Sequence, residues 1–192
     1  IIGHSMGGML AARFATQYPD VAEQVVIYNP IGVTDGRFNR PWGSIDDAYE
    51  RNLRTTYQNI YAGIFRYFSH NPSAWKPEYE KYVRYRYAWT LSGDWPRYAM
   101  VQSLIQQITY LDPVVNDWAN IKSPTLVFGG AEDMAAGSPK LYQERMKFIA
   151  DSIPNGNGKL HLLPGLGHVP HFEAPDRTYP PLVAFLKEYK AK

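Results

Sequence analysis

Gly3-His4-Ser5-Met6-Gly7 runs directly out of Ile1-Ile2, two β-branched apolar residues, and directly into a stretch with helical spacing. Met9, Leu10 and Phe14 recur on one face of residues 9–18, and Pro19-Asp20 ends the pattern. The end of a strand, a tight Gly-rich turn and a helix are thus compressed into the first eighteen residues. A chain that begins this way is committed to a sheet with helices packed on it. Val25-Val26-Ile27-Tyr28 repeats the signal as a continuous apolar run, the mark of a strand buried on both faces, closed by Asn29-Pro30 and Gly32.

The same texture returns near the end. Residues 124–128 read as a strand ended by Gly129-Gly130, and residues 140–153 as a helix stopped by Pro154. Residues 159–163 read as a further strand, followed by a Pro/Gly loop over 164–175. Pro180 and Pro181 are expected to open a last helix over 182–190, since proline is well placed in a first turn. Strands alternating with helices specify an α/β fold, a doubly wound and mostly parallel sheet covered on both faces.

Between these blocks the strand-like runs vanish. Residues 45–68, 78–91 and 96–110 are amphipathic stretches that carry most of the aromatics, including Tyr49, Tyr57, Tyr61, Phe65, Tyr67, Tyr82, Tyr85, Tyr87, Trp89, Trp95 and Tyr98. The expected organisation is therefore a core over 1–33 and 111–192, interrupted by an all-helical insertion over 34–110. With 192 residues the chain is long enough for one domain with a sizeable core. A net charge of +2 with scattered Lys and Arg argues against nucleic acid as a partner, and no apolar stretch is long enough for a membrane span. No cysteine is present, which excludes disulfides and Cys-based metal or redox sites; no cofactor and no metal are expected.

Gly3-His4-Ser5-Met6-Gly7 fits G-x-S-x-G, a turn in which a strained residue projects a serine hydroxyl above the sheet. Side chains at Gly3 and Gly7 are expected to collide, which explains glycine at both places. The helix after the turn aims its amides at a reacting group, so the Met6 N–H is a candidate oxyanion donor. A serine nucleophile needs a base, and the base needs an orienting carboxylate. Asp133 lies just past the 124–128 strand, at the sheet edge where sites of open α/β folds gather. Glu132 is its local rival and Asp35 a distant one. His168 lies past the 159–163 strand, in a loop made flexible by Gly165 and Gly167, with His171 as competitor. His161 and His4 read as packing residues, and His70 as a helix-end residue.

Together, Gly3-His4-Ser5-Met6-Gly7-Gly8, residues 124–133, and Gly167-His168 with Glu173 and Pro175 resemble the α/β-hydrolase superfamily. Asn29-Pro30-Ile31-Gly32 and the helical insertion make the chain most similar to esterase-like and proline-iminopeptidase-like members. The resemblance spans nearly the whole chain. It implies Ser5 as nucleophile, Asp133 as acid, His168 as base, and residues 34–110 as a cap over the site. It also implies four strands and two helices before Gly3, among them a His-Gly loop supplying a second oxyanion amide. The chain is thus expected to be a fragment of a longer enzyme, partnered by its missing N-terminal segment, with its compartment open.

The activity so implied is hydrolysis of a small-molecule acyl substrate, a carboxylic ester first, with an amide, a lactone or a carbon–carbon bond beside a ketone as alternatives. A haloalkane or epoxide route requires a carboxylate where Ser5 stands. A non-catalytic ligand-binding relative, or a fragment acting as a scaffold, are the rival classes.

Overall fold

The computed structural model describes residues 1–38 and 40–189. It divides into two compact units, Ile1–Thr34 with Val114–Lys192, and Asp35–Pro113. The first unit is built on a four-stranded sheet in the order β1 (Ile2–His4), β2 (Val25–Tyr28), β3 (Thr125–Gly130), β4 (Gly158–Leu163). Every neighbouring pair is parallel. β2 and β3 are buried along their whole length, as an apolar run without alternation requires. α1 (Met6–Gln17) packs on β1 and β2, and a later helix, Pro139–Ser152, packs on β3 and β4. Alternation along the strands sends Val26, Tyr28, Leu126 and Phe128 to one face, where they meet Leu182 and Phe185 of the C-terminal helix.

The second unit is helical: α2 (Ile45–Leu53), α3 (Tyr57–Phe65), α4 (Glu80–Thr90) and α5 (Trp95–Leu111), with α2 packed on α5 and α3 on α4. The stretch over 45–68 is not one continuous helix. Thr56 accepts from the Asn59 N–H while Asn59 accepts from the Thr56 N–H, a capping box that starts α3 afresh after α2 has ended. Many aromatics of this unit pack on one another. Tyr61, Phe65, Phe68, Trp75 and Tyr79 form a continuous cluster with ring centroids 5.3–5.8 Å apart. Tyr85 and Trp89 face solvent.

Two boundaries in the first unit differ from expectation. β3 continues through Gly129 and Gly130, which pair with Leu162 and Leu163 of β4. In chain order the helices of this unit after β3 are α6 (Pro139–Ser152), α7 (Pro170–Glu173) and α8 (Pro175–Glu188). α8 opens on Pro175, so Pro180 and Pro181 fall inside it; Pro180 is exposed, where water can reach the carbonyls left without a helical donor. The expected end of this helix at Lys190 lies outside the described residues. No described helix is long and apolar enough to cross a membrane.

Candidate active site

Ser5 occupies the turn between β1 and α1 at φ 58 and ψ −120, a conformation that costs a non-glycine residue about 1–3 kcal/mol. Backbone hydrogen bonds hold it there: its N–H donates to the Tyr28 carbonyl (2.9 Å), and its carbonyl accepts from Gly8 (3.0 Å), Ile31 (3.2 Å) and Met9 (3.4 Å). The two elbow glycines differ. A Cβ on Gly3 would lie 1.9 Å from the Gly7 carbonyl oxygen, whereas a Cβ on Gly7 would meet nothing within 4 Å. Only Gly3 is sterically forced, because Gly7 already lies in the first turn of α1 and points into open space. Gly8, which the motif does not include, is tighter than Gly7: a Cβ there would lie 3.0 Å from the Gly3 carbonyl oxygen and 3.1 Å from the Pro30 Cβ. Met6 opens α1, so its N–H has no intrahelical acceptor.

Asp133 and His168 lie past the ends of β3 and β4, and both are buried. His168 Nδ1–H donates to Asp133 Oδ2 (2.7 Å), which leaves Nε2 to accept from the Ser5 hydroxyl (3.0 Å). The second carboxylate oxygen, Oδ1, accepts from the Ala135 N–H (2.8 Å). The structure therefore brings Ser5, His168 and Asp133 into one hydrogen-bonded line. Of the rival acids, Glu132 is not the carboxylate that meets His168, and Asp35 is engaged by Arg37 (2.6 Å).

The other histidines take distinct places. His4 Nε2–H donates to the His168 carbonyl (2.8 Å), and burial lowers its pKa. His171 Nδ1 accepts from the Tyr28 hydroxyl (2.9 Å), which in turn accepts from the His171 N–H (3.2 Å). Burial, reinforced by His4 and His168, pulls the His171 pKa down to about 4. Burial likewise raises the Tyr28 pKa. His161 is exposed on β4 with its ring near Phe128, and His70 belongs to the helical unit.

Several supporting residues take roles that the motifs did not assign. Glu173 accepts from the Gly167 N–H (3.0 Å), and Arg177 donates to the Pro164 carbonyl (2.8 Å), so the loop bearing His168 is pinned from both helices that follow it. Gly130 allows that loop to press against β3: a Cβ there would lie 2.1 Å from the Gly167 carbonyl oxygen. Asn29 Nδ2 donates to Asp133 Oδ2 (2.6 Å). The Tyr142 hydroxyl is buried without a hydrogen bond of good geometry; burial first, then the Asp133 charge, raises its pKa well above the usual phenol value. Among the described residues no group of His, Asp and Glu is arranged to hold a metal ion.

A model of the alpha/beta hydrolase family matches residues 1–180. Among solved structures, a probable hydrolytic enzyme from Pseudomonas aeruginosa PAO1 is 32% identical over 96% of this chain and 62% of its own, with a TM-score of 0.85. MGS-M2, an alpha/beta hydrolase enzyme from a Medee basin deep-sea metagenome library, is 21% identical over 100% of this chain and 66% of its own, at a TM-score of 0.70. The 2-hydroxy-6-oxo-6-phenylhexa-2,4-dienoate hydrolase of Rhodococcus sp. strain RHA1 is 18% identical over 97% and 63%, also at 0.70. The chain thus spans 62% of the length of the Pseudomonas enzyme. No curated protein matches it. With the elbow, the parallel sheet and a family match over almost its whole length, the chain belongs to the alpha/beta hydrolase family.

Proposed function

We propose that this chain carries the Ser-His-Asp triad of a hydrolase that transfers an acyl group to water. The observation behind the proposal is the unbroken line from the Ser5 hydroxyl through both nitrogens of His168 to Asp133 Oδ2, at 3.0 and 2.7 Å. Nδ1 keeps its proton against the carboxylate, so Nε2 is free to take the Ser5 proton as the serine oxygen attacks a carbonyl carbon. The imidazolium so formed sits beside Asp133, which stabilises it without taking the proton. The developing oxyanion meets the Met6 N–H at the start of α1. Collapse of the tetrahedral intermediate breaks the bond to the leaving group, which receives the proton from Nε2. Water then repeats the attack on the acyl-serine, and Ser5 regains its proton.

A carboxylic ester is the substrate class that this chemistry suits first, because an alkoxide leaves more readily than an amine and an ester carbonyl is less stabilised by resonance than an amide. The test is covalent labelling of the 192-residue chain with a fluorophosphonate, followed by peptide mapping. Stoichiometric modification at Ser5, absent in Ser5→Ala and reduced at least about 100-fold in His168→Ala, is the expected outcome. A chain that binds small esters yet leaves Ser5 unlabelled supports the non-catalytic reading instead. A panel of p-nitrophenyl esters of increasing acyl length then defines the acyl group preferred.

A further inference from the structure

Asn29 follows β2 directly, is fully buried, and sits at φ 38, a left-handed conformation that costs free energy and needs a compensating contact. Every polar atom of its carboxamide is used. Oδ1 accepts from the Gly130 N–H (3.0 Å), which fixes the orientation of the amide and turns Nδ2 toward Asp133. Nδ2 donates to Asp133 Oδ2 (2.6 Å) and, at longer range, to the Gly167 carbonyl (3.4 Å). Its backbone N–H donates to the Phe128 carbonyl (2.8 Å). One side chain therefore ties together the ends of β2 and β3, the carboxylate, and the residue that precedes His168. The sheet makes room for it: a Cβ on Gly129 would lie 2.6 Å from Asn29 Oδ1.

We propose that Asn29 is a positioning residue, whose amide donor keeps the buried Asp133 carboxylate aimed at His168 Nδ1. A carboxylate this deeply buried needs donors on both oxygens. It has three: Ala135 N–H on Oδ1, and His168 Nδ1–H and Asn29 Nδ2–H on Oδ2. Without the amide, one direction of restraint on Oδ2 is lost, and the carboxylate is free to turn from the imidazole. The functional consequence rests on the triad proposed above, whereas the placement of Asp133 and His168 does not depend on it.

The experiment compares wild type, Asn29→Ala and Asn29→Asp in the 192-residue chain, with folding checked by circular dichroism. Asn29→Asp keeps the size and the acceptor for Gly130 and replaces the amide donor by a carboxyl oxygen that donates only when protonated. Fluorophosphonate labelling of Ser5 is expected to slow about 10- to 100-fold in Asn29→Ala. In Asn29→Asp two carboxylates share one site and retain one proton between them at low pH, so a protonated partner still donates. As pH rises that proton is lost, the donor to Asp133 goes with it, the second charge pushes the Asp133 carboxylate off His168 Nδ1, and the ratio of variant to wild-type rate falls. A purely structural role predicts a ratio that does not vary with pH, and that result would overturn the proposal.

A second readout does not require activity. Nitrogen-15 NMR of His168 is expected to show a single Nδ1–H tautomer in wild type and a mixture of tautomers in Asn29→Ala. An unchanged tautomer in Asn29→Ala, or in Asn29→Asp at high pH should the alanine variant not fold, also overturns the proposal. If wild type is not labelled but the tautomer shifts, the hydrolase reading fails while the positioning role of Asn29 stands.

Discussion

Three imidazoles crowd one corner of the sheet, with the His4 ring 5.1 Å from His168 and 5.0 Å from His171. Burial lowers the pKa of His4, and holds His171 to about 4 against an ordinary value of 6.5, so both are neutral near neutral pH. The unfolded chain binds protons at these positions between pH 6.5 and about 4, where the native His171 does not. Stability is therefore fully present above pH 6.5 and falls as pH drops toward 4, by on the order of 1 kcal/mol for His171 after allowance for its partial exposure. Urea midpoints measured across this range should fall less steeply in His171→Gln than in wild type; parallel curves would refute the assignment. The sequence marked His171 only as a competitor for the role of His168. Nothing in its spacing signals that Tyr28, at the end of β2, claims its Nδ1.

At the scale of the turn and its helix, the motif's two glycines separate. Gly3→Ala drives a methyl group into the Gly7 carbonyl, a backbone atom that cannot yield without opening the elbow. The expected loss of stability is about 3 kcal/mol or more, with Ser5 displaced. Gly7→Ala meets open space in a helical position and is expected to raise stability by about 0.5–1 kcal/mol, the usual gain of alanine over glycine in a helix. Thermal melts of the two variants decide it, and equal losses would contradict the steric argument. The sequence yields the elements themselves because each strand is a short apolar run and each helix a periodic one. It misplaces the join between α2 and α3, since the capping box at Thr56 and Asn59 is a local exchange of two hydrogen bonds inside an otherwise amphipathic stretch. It stops β3 early for a different reason: glycine punctuates most sequences, but Gly129 and Gly130 stay in the strand to admit Asn29 and the His168 loop. The meeting of Ser5, Asp133 and His168 is legible because each follows the end of a strand of one parallel sheet. The roles of Asn29, Glu173 and Tyr142 are not, because their contacts exist only once the ends of β2 and β3 and the His168 loop have come together.

Taken whole, the first unit presents β1 as an outer strand of the described sheet, paired on one side with β2. Ile1 and Ile2 are 44% and 50% exposed there, beside Val21 at 64%. An apolar parallel strand with an open edge is a template for another chain. The 192-residue chain is expected to self-associate as its concentration rises, and Ile2→Lys to weaken that association. Sedimentation velocity over a concentration series measures both, and a monomer at every concentration would exclude it.

The register between β2 and β3 has one more consequence. Ser5 and Asn29 arrive on the segment that precedes the helical unit, Asp133 and His168 on the segment that follows it, and four paired residues from Val25↔Thr125 to Tyr28↔Phe128 join the two. The chemistry is thus stitched along a seam between halves that the chain delivers separately. Two polypeptides, one ending and the other beginning within the helical unit, would each hold only part of the candidate site and would bring the serine to its partners only by zipping together along that seam.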